Sequence, residues 1–252
     1  MTRIHVEEDR NVLFIRALRP ATHRSEVEST SAELMEICRS ITERPSPLSA
    51  LVIRGGAGGF WLRHPRCAAD CDAAATPWTR ATTAVGTLPC PTVAVIDGDA
   101  IGGGWALALA CDLRVMSALG RVGSPEVRWA RLPATGVAQR LTRLVGPALA
   151  MRMLLLGEIV PAGEAVAMGL ANRLAAPDAL EACLSALVDE LRAAAPIALA
   201  YAKEAARYGS DLPLSAGLRV EADLATLLQT TRDRAEGIAA FLVHRAPRFA
   251  GG

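Results

Sequence analysis

The chain has 252 residues, of which 51% are hydrophobic, and its formal net charge is +1. This length suits one α/β domain with a small appendage, and the near-neutral charge indicates no nucleic-acid or other polyanionic partner. The first residues contain no apolar signal segment, and Asp97, Gly98 and Asp99 interrupt the longest apolar stretch. We therefore expect a cytoplasmic protein without a membrane span.

The first part of the chain predicts strands that alternate with helices. Ile4–Val6 and Val12–Leu18 read as a hairpin, and Ser25–Thr42 carries apolar residues at helical spacing. Leu48–Arg54 and Thr92–Ile96 are short apolar runs of the kind that form buried strands. This alternation favours parallel sheet layers joined by right-handed crossovers.

Helices dominate the rest of the prediction. Arg66–Ala75 and Pro77–Thr87 precede the strand at Thr92, and Asp112–Met116 is a further strand. Gly146-Pro147 separates two later helices, because proline breaks a helix interior. The helices predicted after the strand Asp112–Met116 are Thr135–Val145, Ala148–Leu156, Asp178–Ala195, Pro196–Tyr208, Leu212–Thr230 and Asp233–Arg245.

Three adjacent glycines, Gly102 to Gly104, stand between the predicted strand Thr92–Ile96 and the helix-forming run Trp105–Ala110. A strand, a glycine turn and a helix start aim free backbone N–H groups into a cleft, and no Cβ keeps a ligand away from them. This geometry suits an oxyanion hole. Tight helix–sheet packing is the alternative, and the spacing matches neither a dinucleotide fingerprint nor a P-loop.

Ten motifs in a fixed order extend this pattern along the chain. They are Leu88–Ala94, Gly98–Gly104, Ala110–Arg114, Ser124–Val127, Leu132–Gly136, Gln139–Gly146, Ala162–Ala165, Gly169–Asn172, Ala202–Glu204 and Glu236–Phe241. In order and spacing they resemble the crotonase superfamily, the enoyl-CoA hydratases and isomerases. The resemblance implies an α/β fold, a spiral of repeated ββα units with a C-terminal helical region. It divides the chain into a core at 1–195 and a helical trimerisation region at 196–252, and implies a homotrimer or a dimer of trimers.

The resemblance also implies a site for an acyl-CoA thioester, with CoA as part of the substrate and no separate cofactor. Two backbone N–H groups would polarise the thioester carbonyl, one at Gly103 and one at His64. Gly102 and Trp129 would contact the substrate. The His64 loop departs from the family pattern, because Arg63 replaces a glycine there, and glycine tolerates backbone conformations that arginine does not.

Glu126 is the candidate acid and base, because Ser124-Pro125-Glu126-Val127 matches the family motif that carries a catalytic glutamate. Read locally, the same residue is a favourable charge at a helix start. The family's hydratases carry a second glutamate where this chain has Ala106. One carboxylate suffices for an isomerase, which favours double-bond isomerisation. Hydration with a reduced glutamate set, decarboxylation or C–C bond cleavage, and acyl-CoA binding without catalysis remain the alternatives.

Arg19, Arg24 and Arg66 are candidate contacts for the CoA phosphates, since guanidinium groups bind phosphate oxygens well; exposed arginines are also common surface residues. His64, Cys67 and Cys71 have a spacing that could face a metal ion. A fourth ligand and a tight Cys-x-x-Cys pair are missing, so we predict no metal site.

Overall fold

The computed structural model describes residues 3–56, 59–61 and 69–252, with the backbone alone at 69–76. The strands in these ranges, in chain order, are β1 (Ile4–Asp9), β2 (Val12–Ala17), β3 (Ala50–Arg54), β4 (Thr92–Ile96), β5 (Asp99–Ile101), β6 (Leu113–Ser117), β7 (Arg121–Gly123), β8 (Ile159–Pro161) and β9 (Arg173–Ala175).

The α-helices of the described residues follow the same order. They are α1 (Arg24–Thr42), α2 (Ala69–Thr87), α3 (Gly103–Ala110), α4 (Val137–Leu156), α5 (Ala162–Ala167), α6 (Leu180–Arg192), α7 (Pro196–Gly209), α8 (Leu214–Leu228) and α9 (Arg232–Leu242). Short 3₁₀ helices span Pro125–Trp129 and Pro177–Ala179.

Two sheets organise these elements. The larger has the strand order β1-β2-β3-β4-β6-β9, parallel throughout except for the antiparallel β1–β2 hairpin. The smaller has the order β5-β7-β8, with β5 parallel to β7 and β8 antiparallel to it. Each ββα unit, β4-β5-α3 and then β6-β7-α4, gives its first strand to the larger sheet and its second to the smaller. The predicted α/β fold of repeated ββα units is confirmed.

The core lies on both faces of the larger sheet, because consecutive strand residues point to opposite sides. In β4, Ala94 and Ile96 belong to one buried cluster, together with residues of α1 and α2. Val93 and Val95 belong to the other cluster, which includes Leu184 of α6. Burial on both faces explains why β4 reads as an unbroken apolar run.

Most predicted elements are confirmed, and one helix differs. Gly146 is non-helical (φ 78°, ψ 166°) within α4, as the Gly146-Pro147 pair predicted. By contrast, α2 continues through Pro77, where we expected two helices. A proline costs one intrahelical hydrogen bond, and α2 retains its helical path where it packs against α1 and α3.

The smaller sheet was not predicted. Its strands β5, β7 and β8 have three residues each. Alternation of polar and apolar residues is recognised over four to eight residues, so a segment of this length shows no period.

An ion pair between a buried lysine and a half-buried aspartate links α7 to the residue before β6. Lys203 Nζ lies 2.6 Å from Asp112 Oδ2 and donates to the Cys90 carbonyl at 2.8 Å. The Thr92 backbone N–H and hydroxyl donate to the same carboxylate oxygen, at 2.8 and 2.9 Å.

The division into a core and a trimerisation region at residue 196 remains a prediction. No helix in the described ranges is long and apolar enough to cross a bilayer.

The start of α1 is held by Glu26. Its carboxylate accepts hydrogen bonds from the Thr22 backbone N–H at 2.8 Å and the Thr22 hydroxyl at 3.0 Å. The guanidinium groups of Arg3 and Arg19 lie 2.9 and 3.0 Å from its Oε1. The Thr22 backbone N–H, reinforced by Arg3 and the Thr22 hydroxyl and opposed by burial, lowers the pKa of Glu26 from 4.5 to about 2.

We predict that Lys203→Met lowers the free energy of unfolding by about 2–4 kcal/mol, because it leaves the Asp112 carboxylate half-buried without its cation. Arg207→Met, at an exposed position of the same helix, should change it by about 0.5 kcal/mol or less. Urea unfolding at neutral pH measures both, and equal losses in the two variants would contradict the assigned role of the ion pair.

We predict that Glu26 stabilises the fold in its ionised form. Because its folded pKa lies below the usual value, its contribution is present above about pH 4.5 and is lost as the pH falls towards about 2. The parent should therefore exceed Glu26→Gln in stability at neutral pH, and the difference should shrink through that window. Thermal unfolding from pH 7 to pH 2 measures it; a difference that is constant with pH would refute this account.

Candidate active site

The glycine turn and Glu126 lie at the same edge of the smaller sheet. β5 leads directly into Gly102 and β7 leads directly into Ser124; the two strands are parallel, with Ile101 opposite Gly123. The Gly102 N–H donates to the Gly123 carbonyl at 2.9 Å, which extends the pairing beyond β5. Since neighbouring strands lie about 4.8 Å apart, the two segments leave the sheet side by side.

Gly103 is the first residue of α3. Its N–H therefore has no carbonyl acceptor within the helix. Gly102 before it has a left-handed φ of 61° with ψ −117°, a conformation that glycine accepts without a Cβ clash. The first intrahelical bond runs from the Ala106 N–H to the Gly102 carbonyl at 2.9 Å. Across the described ranges, no acceptor is bonded to the Gly103 N–H, so it is available to an anionic oxygen.

Two buried tryptophans support this turn. The Trp78 indole N–H donates to the Gly103 carbonyl at 2.8 Å. The Trp61 ring lies against that of Trp78 with centroids 6.5 Å apart, and its own N–H donates to the Arg54 carbonyl at 2.8 Å. Trp61 has a φ of 61°, rare for a bulky residue, so surrounding bonds must hold the backbone there. The Trp78 indole therefore fixes the carbonyl side of the glycine turn.

The opposite end of α3 is fixed by a buried arginine. Arg114 Nη1 donates to the Ala108 and Cys111 carbonyls at 3.2 and 2.6 Å, and its Nε donates to the Leu170 carbonyl at 2.7 Å. A cation at the C-terminus stabilises the helix dipole whose positive end lies at Gly103. Burial raises the pKa of Cys111 to about 12, so this neighbouring thiol stays neutral.

Glu126 is held by one hydrogen bond in the 3₁₀ helix Pro125–Trp129. The residue is only 8% exposed, and the Ser124 hydroxyl donates to its Oε2 at 2.5 Å. Within the described part of the chain, no other group donates to this carboxylate. Oε1 therefore accepts no hydrogen bond from a described residue.

Ala106 lies in the first turn of α3 and is fully buried. Among residues 102–106 and 124–129, the two segments that leave the sheet together, Glu126 is the only carboxylate. Trp129 follows Glu126 by three residues, which places both on one face of a 3₁₀ helix, and its side chain is 51% exposed. The 3₁₀ helix thus carries a buried carboxylate and, one turn further on, an exposed aromatic residue.

The loop that would supply the other oxyanion donor lies outside the described residues. His64 and Arg66 fall there, as do Arg63 and Cys67, and the Cys71 side chain is not described either. The described start of this loop is fixed beside the small sheet, because the Phe60 N–H donates to the Asp99 carbonyl at 2.9 Å. No cluster of three metal-ligating side chains occurs among the residues that can be described.

Arg19 and Arg24 lie on the surface near Trp61. The Ala21 N–H, between them in the chain, donates to the Trp61 carbonyl at 2.8 Å. Both guanidinium groups are exposed and ion-paired, Arg19 with the largely buried Glu26 at 3.0 Å and Arg24 with the exposed Glu28 at 2.8 Å. An exposed pair such as the second is weak, and a guanidinium group binds phosphate oxygens well.

Sequence reasoning missed the contribution of Ser124. It appeared only as part of a motif, although a serine two residues before a helix-start glutamate can reach that carboxylate. The same reasoning could not find the Trp78 contact, because Trp78 and Gly103 are distant in sequence and meet only through the packing of α2 on α3.

Comparison with known proteins agrees with this architecture. The family model described as enoyl-CoA hydratase/isomerase matches residues 8–252. The chain is 35% identical over 262 residues to the 2,3-dehydroadipyl-CoA hydratase of Escherichia coli, covering 100% of both chains. It is 33% identical over 257 residues to the (E)-benzylidenesuccinyl-CoA hydratase of Thauera aromatica, covering 98% of this chain and 99% of that one.

A solved structure also superposes over the full length. The enoyl-CoA hydratase of Bacillus anthracis has a TM-score of 0.90 at 27% identity, with 100% of each chain covered. Together with the glycine turn and Glu126 at one sheet edge, these matches show that the chain belongs to the enoyl-CoA hydratase/isomerase family, acyl-CoA enzymes of the crotonase superfamily.

Proposed function

We propose that this chain is an enoyl-CoA isomerase in which Glu126 alone moves the proton. The observation that carries the proposal is the buried Glu126 carboxylate at the sheet edge of the glycine turn, with Ala106 where the family's hydratases carry a second glutamate. An isomerisation moves one proton between two carbons of the acyl chain and consumes no water. A single acid–base group is sufficient for that reaction.

The thioester carbonyl oxygen would bind at the Gly103 N–H. Removal of a proton from the α-carbon moves negative charge onto this oxygen and forms an enolate. A donor that is already oriented by the fold stabilises this charge without reorganisation, which is why oxyanion holes contribute strongly to catalysis. The second donor would be the backbone N–H of His64, as the family resemblance implies.

The Glu126 carboxylate would act through Oε1. It takes the proton from the α-carbon as the enolate forms, and it returns a proton to the γ-carbon as the carbonyl re-forms. The double bond thereby moves from the β,γ to the α,β position, and Glu126 ends in its starting ionisation state. Trp129 on the same helical face would border the acyl chain.

Hydration is the second candidate, because the two full-length relatives named above are both called hydratases. A water would have to be activated and the α-carbon protonated, and Glu126 would perform both steps in turn. The two reactions differ in their products, so but-3-enoyl-CoA and but-2-enoyl-CoA distinguish them: isomerisation interconverts these two, whereas hydration of the second gives 3-hydroxybutanoyl-CoA.

The CoA portion and the assembly belong to the same proposal. Arg19, Arg24 and Arg66 would contact the CoA phosphates. A homotrimer or dimer of trimers, built through residues 196–252, would cover apolar side chains that the single chain exposes on α8 and α9, such as Leu214 at 78% and Phe241 at 76%. A cytoplasmic location remains a prediction.

We predict that Glu126→Gln lowers kcat for but-3-enoyl-CoA by about 10²- to 10⁴-fold, because the amide cannot accept the proton. Binding of butanoyl-CoA, a saturated thioester, should persist. Glu164→Gln, at a partly exposed position of α5, is the matched control and should leave kcat unchanged. Full turnover in Glu126→Gln would remove the proposed mechanism.

We predict that Ala106→Glu raises the rate of but-2-enoyl-CoA hydration, because it restores a second carboxylate beside Glu126. Ala106→Gln has nearly the same volume without the charge and serves as the control. Hydration that rises in the glutamate variant alone supports the assigned role of this position. An equal rate in both variants, with butanoyl-CoA still bound, would show that the missing carboxylate does not limit hydration.

A further inference from the structure

We propose that Ser124 is a positioning residue for Glu126: its hydroxyl holds Oε2 and directs Oε1 at the reacting carbons. This inference rests on the proposed function, since it concerns the proton transfer that Glu126 performs there. It extends that function by assigning the orientation of the carboxylate to one neighbouring hydroxyl.

The Ser124 hydroxyl does not make the bond that its position would favour. Ser124 is the N-cap residue of the 3₁₀ helix, and serine at an N-cap ordinarily accepts a hydrogen bond from a backbone N–H of the first turn. No such cap bond is formed here. The hydroxyl instead donates its one proton to Glu126 Oε2 at 2.5 Å, within the short range typical of a hydroxyl bonded to a carboxylate.

The backbone that carries Ser124 is held firmly. Gly123 before it is paired with Ile159 of β8 and accepts a hydrogen bond from the Gly102 N–H. A Cβ at Gly123 would come within 2.4 Å of the Glu158 carbonyl oxygen, so this strand passes closely over its neighbour. The hydroxyl therefore projects from a rigid strand end that is itself bonded to the glycine turn.

Burial makes this one bond decisive for the carboxylate. Ser124 is 3% exposed and Glu126 8%, and the hydroxyl is the sole donor to the carboxylate in the described ranges. A glutamate side chain has three rotatable bonds, and a bond to one oxygen restricts all of them. The oxygen left over faces one direction, and reaction rates depend steeply on such orientation.

The 2.5 Å bond from Ser124 to Glu126 would also form if the hydroxyl had only a structural role, as a partner for a buried carboxylate. Kinetic measurements distinguish this structural role from a positioning role. A structural hydroxyl acts on the amount of folded protein, hence on the number of binding sites. A positioning hydroxyl acts on turnover per site, because its effect is felt when the proton moves and not when the thioester binds.

The test compares the parent with Ser124→Ala, Ser124→Thr and Glu126→Gln. The kcat and KM are measured with but-3-enoyl-CoA and but-2-enoyl-CoA, and binding sites per chain are counted by calorimetry with butanoyl-CoA. We expect Ser124→Ala to lower kcat by about 10- to 100-fold with KM and site number unchanged. Ser124→Thr keeps the hydroxyl and should remain within about threefold of the parent.

Two results would overturn the proposal. One is a kcat for Ser124→Ala within twofold of the parent while Glu126→Gln is inactive; the other is a loss of kcat matched by an equal loss of butanoyl-CoA sites. Failure of the proposed function looks different, because Glu126→Gln would then retain full turnover, or the parent would convert neither thioester.

Discussion

The site depends on the pairing of two three-residue strands. β5 and β7 run parallel, and the Gly102 N–H bonded to the Gly123 carbonyl fixes their register at the end where both leave the sheet. β5 leads into the N-terminus of α3, and β7 leads into the segment that carries the Glu126 carboxylate. If the register shifted by one residue, Ser124 and Glu126 would move relative to Gly103 and the side chains would change faces.

Helix α3 is held at both ends by side-chain hydrogen bonds to its backbone carbonyls. Arg114 binds the carbonyls at its C-terminus, and the Trp78 indole holds the Gly103 carbonyl at its first turn. The apolar residues between these ends are buried, so the helix has little freedom to tilt or slide. This rigidity matters for an oxyanion donor, because the backbone N–H must already face the position where charge develops.

The sequence predicted the elements that are long enough to show a regular spacing of apolar residues. The long helices, the buried strand Thr92–Ile96 and the break at Gly146 could be read from apolar spacing and from glycine and proline. The three short strands could not, and without them the sequence gives no reason why residues 103 and 126 lie at one edge of the smaller sheet. Their proximity was available only through the family resemblance, which matched both motifs without explaining why they meet.

Contacts between distant residues were beyond the sequence for a different reason. The Trp78 bond to Gly103 follows from how α2 packs on α3, and proline at position 77 even suggested a break in that helix. Ser124 was within reach of local reasoning, since two residues separate it from Glu126. The motif alone does not show that its hydroxyl bonds the carboxylate, because a serine at a helix start ordinarily accepts from a backbone N–H.

The ion pair of Lys203 has a chemical consequence beyond stability. Lys203 is the only lysine in the chain, and its side chain is 8% exposed, with the ammonium group bound to Asp112. Activated thioesters acylate free amines, and a protonated amine has no lone pair with which to attack. The folded protein thus offers its own substrate class no lysine side chain to modify, and the arginines that supply its remaining basic side-chain charge do not react in this way.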